Sequence, residues 1–206
     1  MQYLQIHPVN PQSRLISQAV AIVRNGGVIV YPTDSCYALG CQIGDKAAME
    51  RIQRLRKLEP GHNFTLVCRD LSDLSTYAKV GNQEFRLLRS LTPGPYTFIL
   101  TASHEVPRRL QNPKRKTIGL RIPDQPIVRA LLEALDEPLM SVTLILPDST
   151  LPMTEPEEMR ERLASHVDAI IDGGSCGSEP TSIIDLTGAA PRVIRQGKGD
   201  TSFLTG

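Results

Sequence analysis

The residues able to do chemistry in this chain are cations and hydroxyls, with no nucleophile beside a base. Tyr31-Pro32-Thr33-Asp34-Ser35 sets three hydroxyls and a carboxylate at a break between two apolar runs. Proline cannot donate to a strand ladder, so pairing stops there and the side chains face a concavity. Thr33 can then hydrogen-bond a polar ligand. The alternative is a polar turn in which Thr33 satisfies its own backbone. Gly119-Leu120-Arg121-Ile122-Pro123 sets one arginine among strand-like neighbours. A buried guanidinium needs a partner: either a ligand carboxylate or phosphate gripped by two donors, or an ion pair with Asp124 or another acid. Arg192 and Arg195 add two candidate phosphate ligands.

Other chemistries fall away. Asp172-Gly173-Gly174-Ser175-Cys176-Gly177 is a glycine-rich turn that lets backbone approach an anion, yet it is neither a G-x-G-x-x-G in a βαβ setting nor a Walker sequence. None of the four histidines pairs with a Ser or Cys in the manner of a hydrolase triad. Cys36 reads as a small core hydrophobe rather than a nucleophile. Cys36, Cys41, Cys68 and Cys176 form no C-x-x-C pair and no zinc-ligand spacing, which argues against a disulfide framework and against a metal site.

A net charge of +1 conceals strong local asymmetry. Lys46 to Arg69 carries six basic against two acidic residues, and His104 to Arg129 seven against two. Glu133 to Asp172 carries ten acidic against two basic. Basic surface attracts phosphates, which makes Arg51, Arg54, Lys57, Arg108, Arg109, Lys114, Arg115 and Lys116 candidates for RNA contacts. The competing reading is that each run is a solvated face. Asn112-Pro113-Lys114-Arg115-Lys116 is the most pointed, because a loop leaves its side chains free to reach a polyanion.

The elements that must hold these groups alternate between two periods. Asn10-Pro11 starts a helix with Leu15, Ile16, Ala19, Ile22 and Val23 on one face, ended by Gly26-Gly27. Val28 to Tyr31 and Cys36 to Cys41 are strands. Asp45 caps a helix that stops near Glu59-Pro60-Gly61, and Asn82 caps another ended by Pro93-Gly94-Pro95. Further strands are predicted at 64–68, 96–102, 117–122, 139–145, 169–172, 181–186 and 192–195, with helices at 125–135 and 155–164. The pattern is a single α/β domain over 1–206 with its core at about 12–199: a twisted, open, mixed sheet flanked by helices. At 206 residues such a chain buries roughly 70% of its surface. The start, Met1 to Pro8, lacks the charged and apolar regions of a signal peptide, and no run spans a bilayer, so a cytoplasmic protein without a membrane partner is expected. With no Trp, 5 Tyr and 4 Phe, stacking of many single-stranded bases is not expected, nor is a reader of DNA sequence.

Taken in order, Gly27 to Ser35, Leu39-Gly40-Cys41, Pro93 to Thr97, Gly119 to Pro123, Thr181 to Asp185 and Arg195-Gln196-Gly197 resemble the YrdC family of L-threonylcarbamoyl-AMP synthases, its YciO-type branch above all. The resemblance implies a twisted open sheet with an electropositive concave face and affinity for double-stranded RNA or tRNA. It also implies condensation of threonine, bicarbonate and ATP into threonylcarbamoyl-adenylate, for transfer to tRNA. That step is attack of a carbamate oxygen on the α-phosphorus, so cations, and Mg²⁺ carried with ATP, would offset charge on the departing pyrophosphate. By position, Thr33 and Arg121 would hold the threonine-like end, while Arg56, Ser141, Thr143, Thr181 and Arg195 would line the ATP or AMP end. No tightly bound cofactor is implied. Two signatures depart. K-x-R falls on Arg56-Lys57-Leu58 followed by His62, and S-x-N-x-S-G on Ser141 to Leu146, so Leu58 replaces an arginine and Ile145 replaces a polar residue of the signature. Two readings follow: an RNA- and nucleotide-binding protein with weak or lost synthase activity, or an active synthase.

Overall fold

A computed structural model describes residues 1–204. Ten strands form one mixed sheet: β1 (Gln2–Gln5), β2 (Ile29–Tyr31), β3 (Ala38–Gln42), β4 (Thr65–Val67), β5 (Tyr96–Thr101), β6 (Thr117–Arg121), β7 (Leu139–Thr143), β8 (Ala169–Asp172), β9 (Ser182–Asp185) and β10 (Arg192–Arg195). Their spatial order is β1-β8-β2-β3-β7-β4-β6-β5-β9-β10, so β1 and β10 are open edges. The helices are α1 (Ser13–Arg24), α2 (Lys46–Arg56), α3 (Leu71–Tyr77), α4 (Asn82–Leu91), α5 (Pro126–Leu135) and α6 (Pro156–Leu163). The α/β architecture and mixed sheet agree with the sequence reading.

Several boundaries moved for local reasons. α1 begins at Ser13 because Gln12, not Asn10, is the extended residue before it. α2 is capped as expected, Ala48 N donating to Asp45 Oδ1 at 2.9 Å, but it ends at Arg56 because Lys57 turns left-handed at φ 49°. Gly81, rather than Asn82, precedes α4. The sequence reading had no place for β1 or α3.

Side-chain alternation divides the sheet into two faces. On one, Leu39, Cys41, Leu66, Phe98, Leu120, Met140, Val142 and Ile184 join the larger core. On the other, Leu4, Ile29, Tyr31, Val67, Leu139 and Ile171 pack under α1 and α5. Farther along that second face the alternating positions become Ser141, Thr143, Thr65, Gly119, Thr97 and Ile183. Too few apolar side chains remain there to hold a helix, and the sheet surface is left open.

Candidate functional site

Strand register assembles this open surface from distant segments. Gly40 pairs with Ser141, Ser141 with Thr65, Thr65 with Gly119, and Gly119 with Ile99. Thr97 pairs with Ile183, and Ile183 with Arg195. The result is a cleft of about 260 Å³, with Arg56 as the one lining residue supplied by a helix. Arg56, Arg121, Ser141, Thr143, Thr181 and Arg195 all line it, together with Cys36, His62, Asn63, Thr65, Thr97 and Ile145.

Arg121 is the most constrained of these. Its Nη2 donates to Asp34 Oδ1, and its Nη1 lies 3.3 Å from Ser35 Oγ. Asp34 Oδ2 in turn accepts from the Asp124 amide at 2.8 Å. Both side chains of the pair are 10% exposed. The acid partner is therefore Asp34; Asp124 instead faces Arg129 at 3.7 Å. Arg121 Nε is buried with no partner among the described residues. A guanidinium with one orphaned N–H beside a cleft has capacity for a ligand oxygen.

The floor hydroxyls are already oriented. Ser141 Oγ and Tyr31 OH lie 2.6 Å apart, and burial pushes the Tyr31 phenol up to about 12, keeping its proton in place at neutral pH. A Cβ on Gly40 would come within 2.7 Å of Tyr31 Cε1, so the glycine is what lets this ring lie flat on β3. Thr97 Oγ1 and Thr181 Oγ1 are 2.8 Å apart. Arg195 Nε and Nη2 clasp the Thr181 carbonyl at 3.0 and 2.8 Å. Opposite, Arg56 Nε donates to the Ile145 carbonyl at 2.7 Å. Burial lowers the Arg56 and Arg195 pKa values from the usual 12.5, yet guanidinium stays charged in proteins. His62 is lowered by burial and then by Arg56, so it presents a neutral imidazole to the cleft at pH 7. Burial pushes the Cys36 thiol up to about 11, which removes it as a nucleophile.

Thr33 is the exception among the expected ligand residues. Its hydroxyl donates to the Cys36 carbonyl at 2.6 Å and accepts from the Ser35 and Cys36 amides at 3.1 and 3.2 Å. One donor and two acceptor sites are thereby filled, and Thr33 does not line the cleft. The polar-turn alternative describes what is seen, and the Thr33 hydroxyl expected to meet a threonine-like ligand is engaged by its own turn. The glycine-rich turn is also engaged internally, Tyr37 OH donating to the Gly174 carbonyl at 2.6 Å and accepting from the Gly173 amide at 3.2 Å.

The eight expected RNA contacts separate into two groups. Arg51 is tied to Asp168 at 2.7 Å, Arg109 to the Gly44 carbonyl, and Arg115 to Asp185 at 2.9 Å and Thr187 at 2.8 Å. These three make contacts within the fold, so of the 112–116 loop, whose side chains were expected to be free, Arg115 is engaged. Arg54, Lys57, Arg108, Lys114 and Lys116 are exposed and have no acidic partner among the described residues. Of the two departures, Ile145 lines the cleft whereas Leu58 packs against the larger core. Asn63, Thr65 and Thr97 were missed in the sequence reading; their only signal is one-face alternation, which becomes readable once the strand pairing is known.

A family model described as "Telomere recombination" (Sua5_yciO_yrdC) matches residues 21–197. The uncharacterized protein YciO of Escherichia coli (strain K12) is 62% identical over 199 residues, covering 97% of each chain. A crystal structure of E. coli YciO superposes with a TM-score of 0.95 at 60% identity over 98% of both chains. A threonylcarbamoyl-AMP synthase of Xylella fastidiosa (strain M12) is 28% identical over 174 residues, 82% of this chain and 92% of that one. At the level of fold, P. abyssi Sua5, crystallised with L-threonine, gives a TM-score of 0.87 at 24% identity, covering 96% of this chain and 58% of that one.

Proposed function

The chain belongs to the Sua5/YciO/YrdC family, and from that premise we propose that its cleft binds ATP and a threonine-like acid and, with bicarbonate, condenses them only slowly into a carbamoyl-adenylate with release of pyrophosphate. The orphaned Nε of buried Arg121 carries this reading. A carboxylate oxygen placed there would complete the guanidinium's set of hydrogen bonds. Arg56 and Arg195 would face the phosphates, with Ser141, Thr143 and Thr181 as neutral donors or acceptors between the two ends. The name of the Xylella relative and the threonine in the P. abyssi crystal support this choice of ligands.

Among the described residues no carboxylate lines the cleft, so those residues do not form a magnesium site of their own. The chain's own contribution is to position the two acids and to neutralise charge. Slow turnover follows from the two departures. With Leu58 partly buried against the core and apolar Ile145 lining the cleft, two phosphate contacts are missing, at ~1.5–3 kcal/mol each. At ~1.4 kcal/mol per decade, that is roughly 10²–10⁴ in rate. Isothermal titration with ATP, followed by pyrophosphate release with and without threonine and bicarbonate, tests the proposal. Binding, with slow release that needs both co-substrates and rises in Ile145→Ser, is the expected outcome. No heat at millimolar ATP would sink it.

A second reading, RNA binding, is supported by Arg54, Lys57, Arg108, Lys114 and Lys116, which are exposed and without an acidic partner among the described residues. Filter binding of duplex RNA should weaken steeply as salt rises, from counterion release. Absence of binding at low salt ends this reading.

A further inference from the structure

A second basic site stands apart from the cleft. Where β5 ends, a groove of about 810 Å³ is lined by Lys79, Arg108 and Lys116, with His104, Asn112 and Thr101 among them. Among the described residues no carboxylate lines it. Lys79, Arg108 and Lys116 are exposed and have no acidic partner among the described residues, while Glu105 on the same loop is taken by His104 Nε2 at 2.8 Å. Asn112 Oδ1 accepts from the Lys114 and Arg115 amides at 3.1 and 2.9 Å, which leaves Asn112 Nδ2 a donor without a partner among the described residues. Ser103 Oγ donates to the Thr76 carbonyl at 2.7 Å and Gln111 Nε2 to the Val106 carbonyl at 2.9 Å, which fixes the two walls. What remains is three cations and a spare amide donor in an open hollow. Its complement is a ligand made of acceptors, with several negative charges spaced along its length.

Position adds a second constraint. Thr97 lines the cleft and Thr101 lines the groove, four residues apart on the same face of β5. At ~3.4 Å rise per residue, that is about 14 Å. One extended polyanion can therefore lie in the groove and approach the cleft along a single strand of the sheet.

We propose that this groove seats the phosphodiester backbone of an RNA strand, an inference that rests on the RNA reading above and gives it an address. The test uses the full chain with Lys79→Glu and Lys116→Glu together, both exposed positions. Hairpin RNA is titrated by filter binding at a series of salt concentrations, ATP is titrated calorimetrically, and tripolyphosphate serves as competitor. The double variant should lose at least about tenfold in RNA affinity at low salt, and its log–log salt slope should fall by about 2, since each phosphate contact contributes about 0.9. ATP binding should stay as in the wild type. A Lys79→Gln/Lys116→Gln pair, which adds no repulsion, should show the same slope change. RNA affinity and slope equal to wild type in both variants would overturn the groove assignment while leaving RNA binding intact. A wild type that binds no RNA would remove both. Tight tripolyphosphate binding that these substitutions abolish, without any RNA binding, would reassign the groove to a free polyphosphate and overturn the backbone claim.

Discussion

Replacing Arg121 by methionine separates what its guanidinium does for the fold from what it does for a ligand. The cation and Asp34 are each 10% exposed. Removing the cation leaves the Asp34 carboxylate buried, with the Asp124 amide at 2.8 Å as its remaining donor. Breaking one side of such a pair costs about 3–5 kcal/mol. For a chain of this size each kcal/mol moves Tm by about 2–4 °C, so Arg121→Met should melt roughly 6–20 °C lower. Adding Asp34→Asn removes the stranded charge while keeping an oxygen for the Asp124 amide. Most of the lost stability should therefore return, with a coupling of at least about 2 kcal/mol in the double-mutant cycle. Ligand binding should not return, because the Nε–H is gone. Differential scanning calorimetry reads the first quantity, and isothermal titration with ATP and with L-threonine reads the second. A double variant that binds both ligands as wild type does would refute the claim that Arg121 holds the acid.

Two further outcomes are expected. Burial alone would raise the Asp185 carboxyl, but hydrogen bonds from the Thr187 hydroxyl and amide and from Arg115 outweigh it and hold the group at about 2. Its unfolded value is about 3.9, so its contribution is complete above pH ~4 and is lost as pH falls toward ~2. Asp185→Asn should lower stability at pH 7 by about 1 kcal/mol, a figure discounted because Arg115 is half exposed, and should flatten the acid limb measured by urea unfolding at stepped pH. A limb parallel to wild type contradicts this. Gly119→Val should leave Tm within a few degrees, since β-branched residues suit strands, yet weaken ATP binding at least tenfold. Its Cβ would already sit 3.3 Å from Thr65 Oγ1 and 3.4 Å from Thr97 Cγ2, so the methyl groups must project into the cleft; unchanged affinity contradicts that geometry.

The strands were readable because most are short β-branched or apolar runs between prolines and glycines, as at Val28 to Tyr31. β1 was not: Gln2-Tyr3-Leu4-Gln5 becomes a strand through its parallel pairing with β8 at Ala169 to Asp172, which no local signal announces. α3 escaped for a related reason. It has seven residues and one buried side chain, Leu74, too little to show a period, though Asp70 caps it through the Asp73 amide at 2.8 Å. At the site, residue types were legible and partners were not. Arg121 was recognisable as a cation in need of an acid, but that the acid is Asp34, 87 positions away, depends on how β6 meets the turn after β2. Thr33 attracted attention for its hydroxyl, and an i to i+3 bond to its own turn accounts for that hydroxyl. The loop Asn112 to Lys116 looked uniformly free, while Asp185 on distant β9 captures its central arginine.

The most direct test is a crystal structure of the chain grown with AMP and L-threonine. The account expects the acid against Arg121 Nε and the phosphate between Arg56 and Arg195, over the Ser141–Gly119 floor. Ligand bound elsewhere, or a cleft left empty at millimolar concentrations of both, would contradict it.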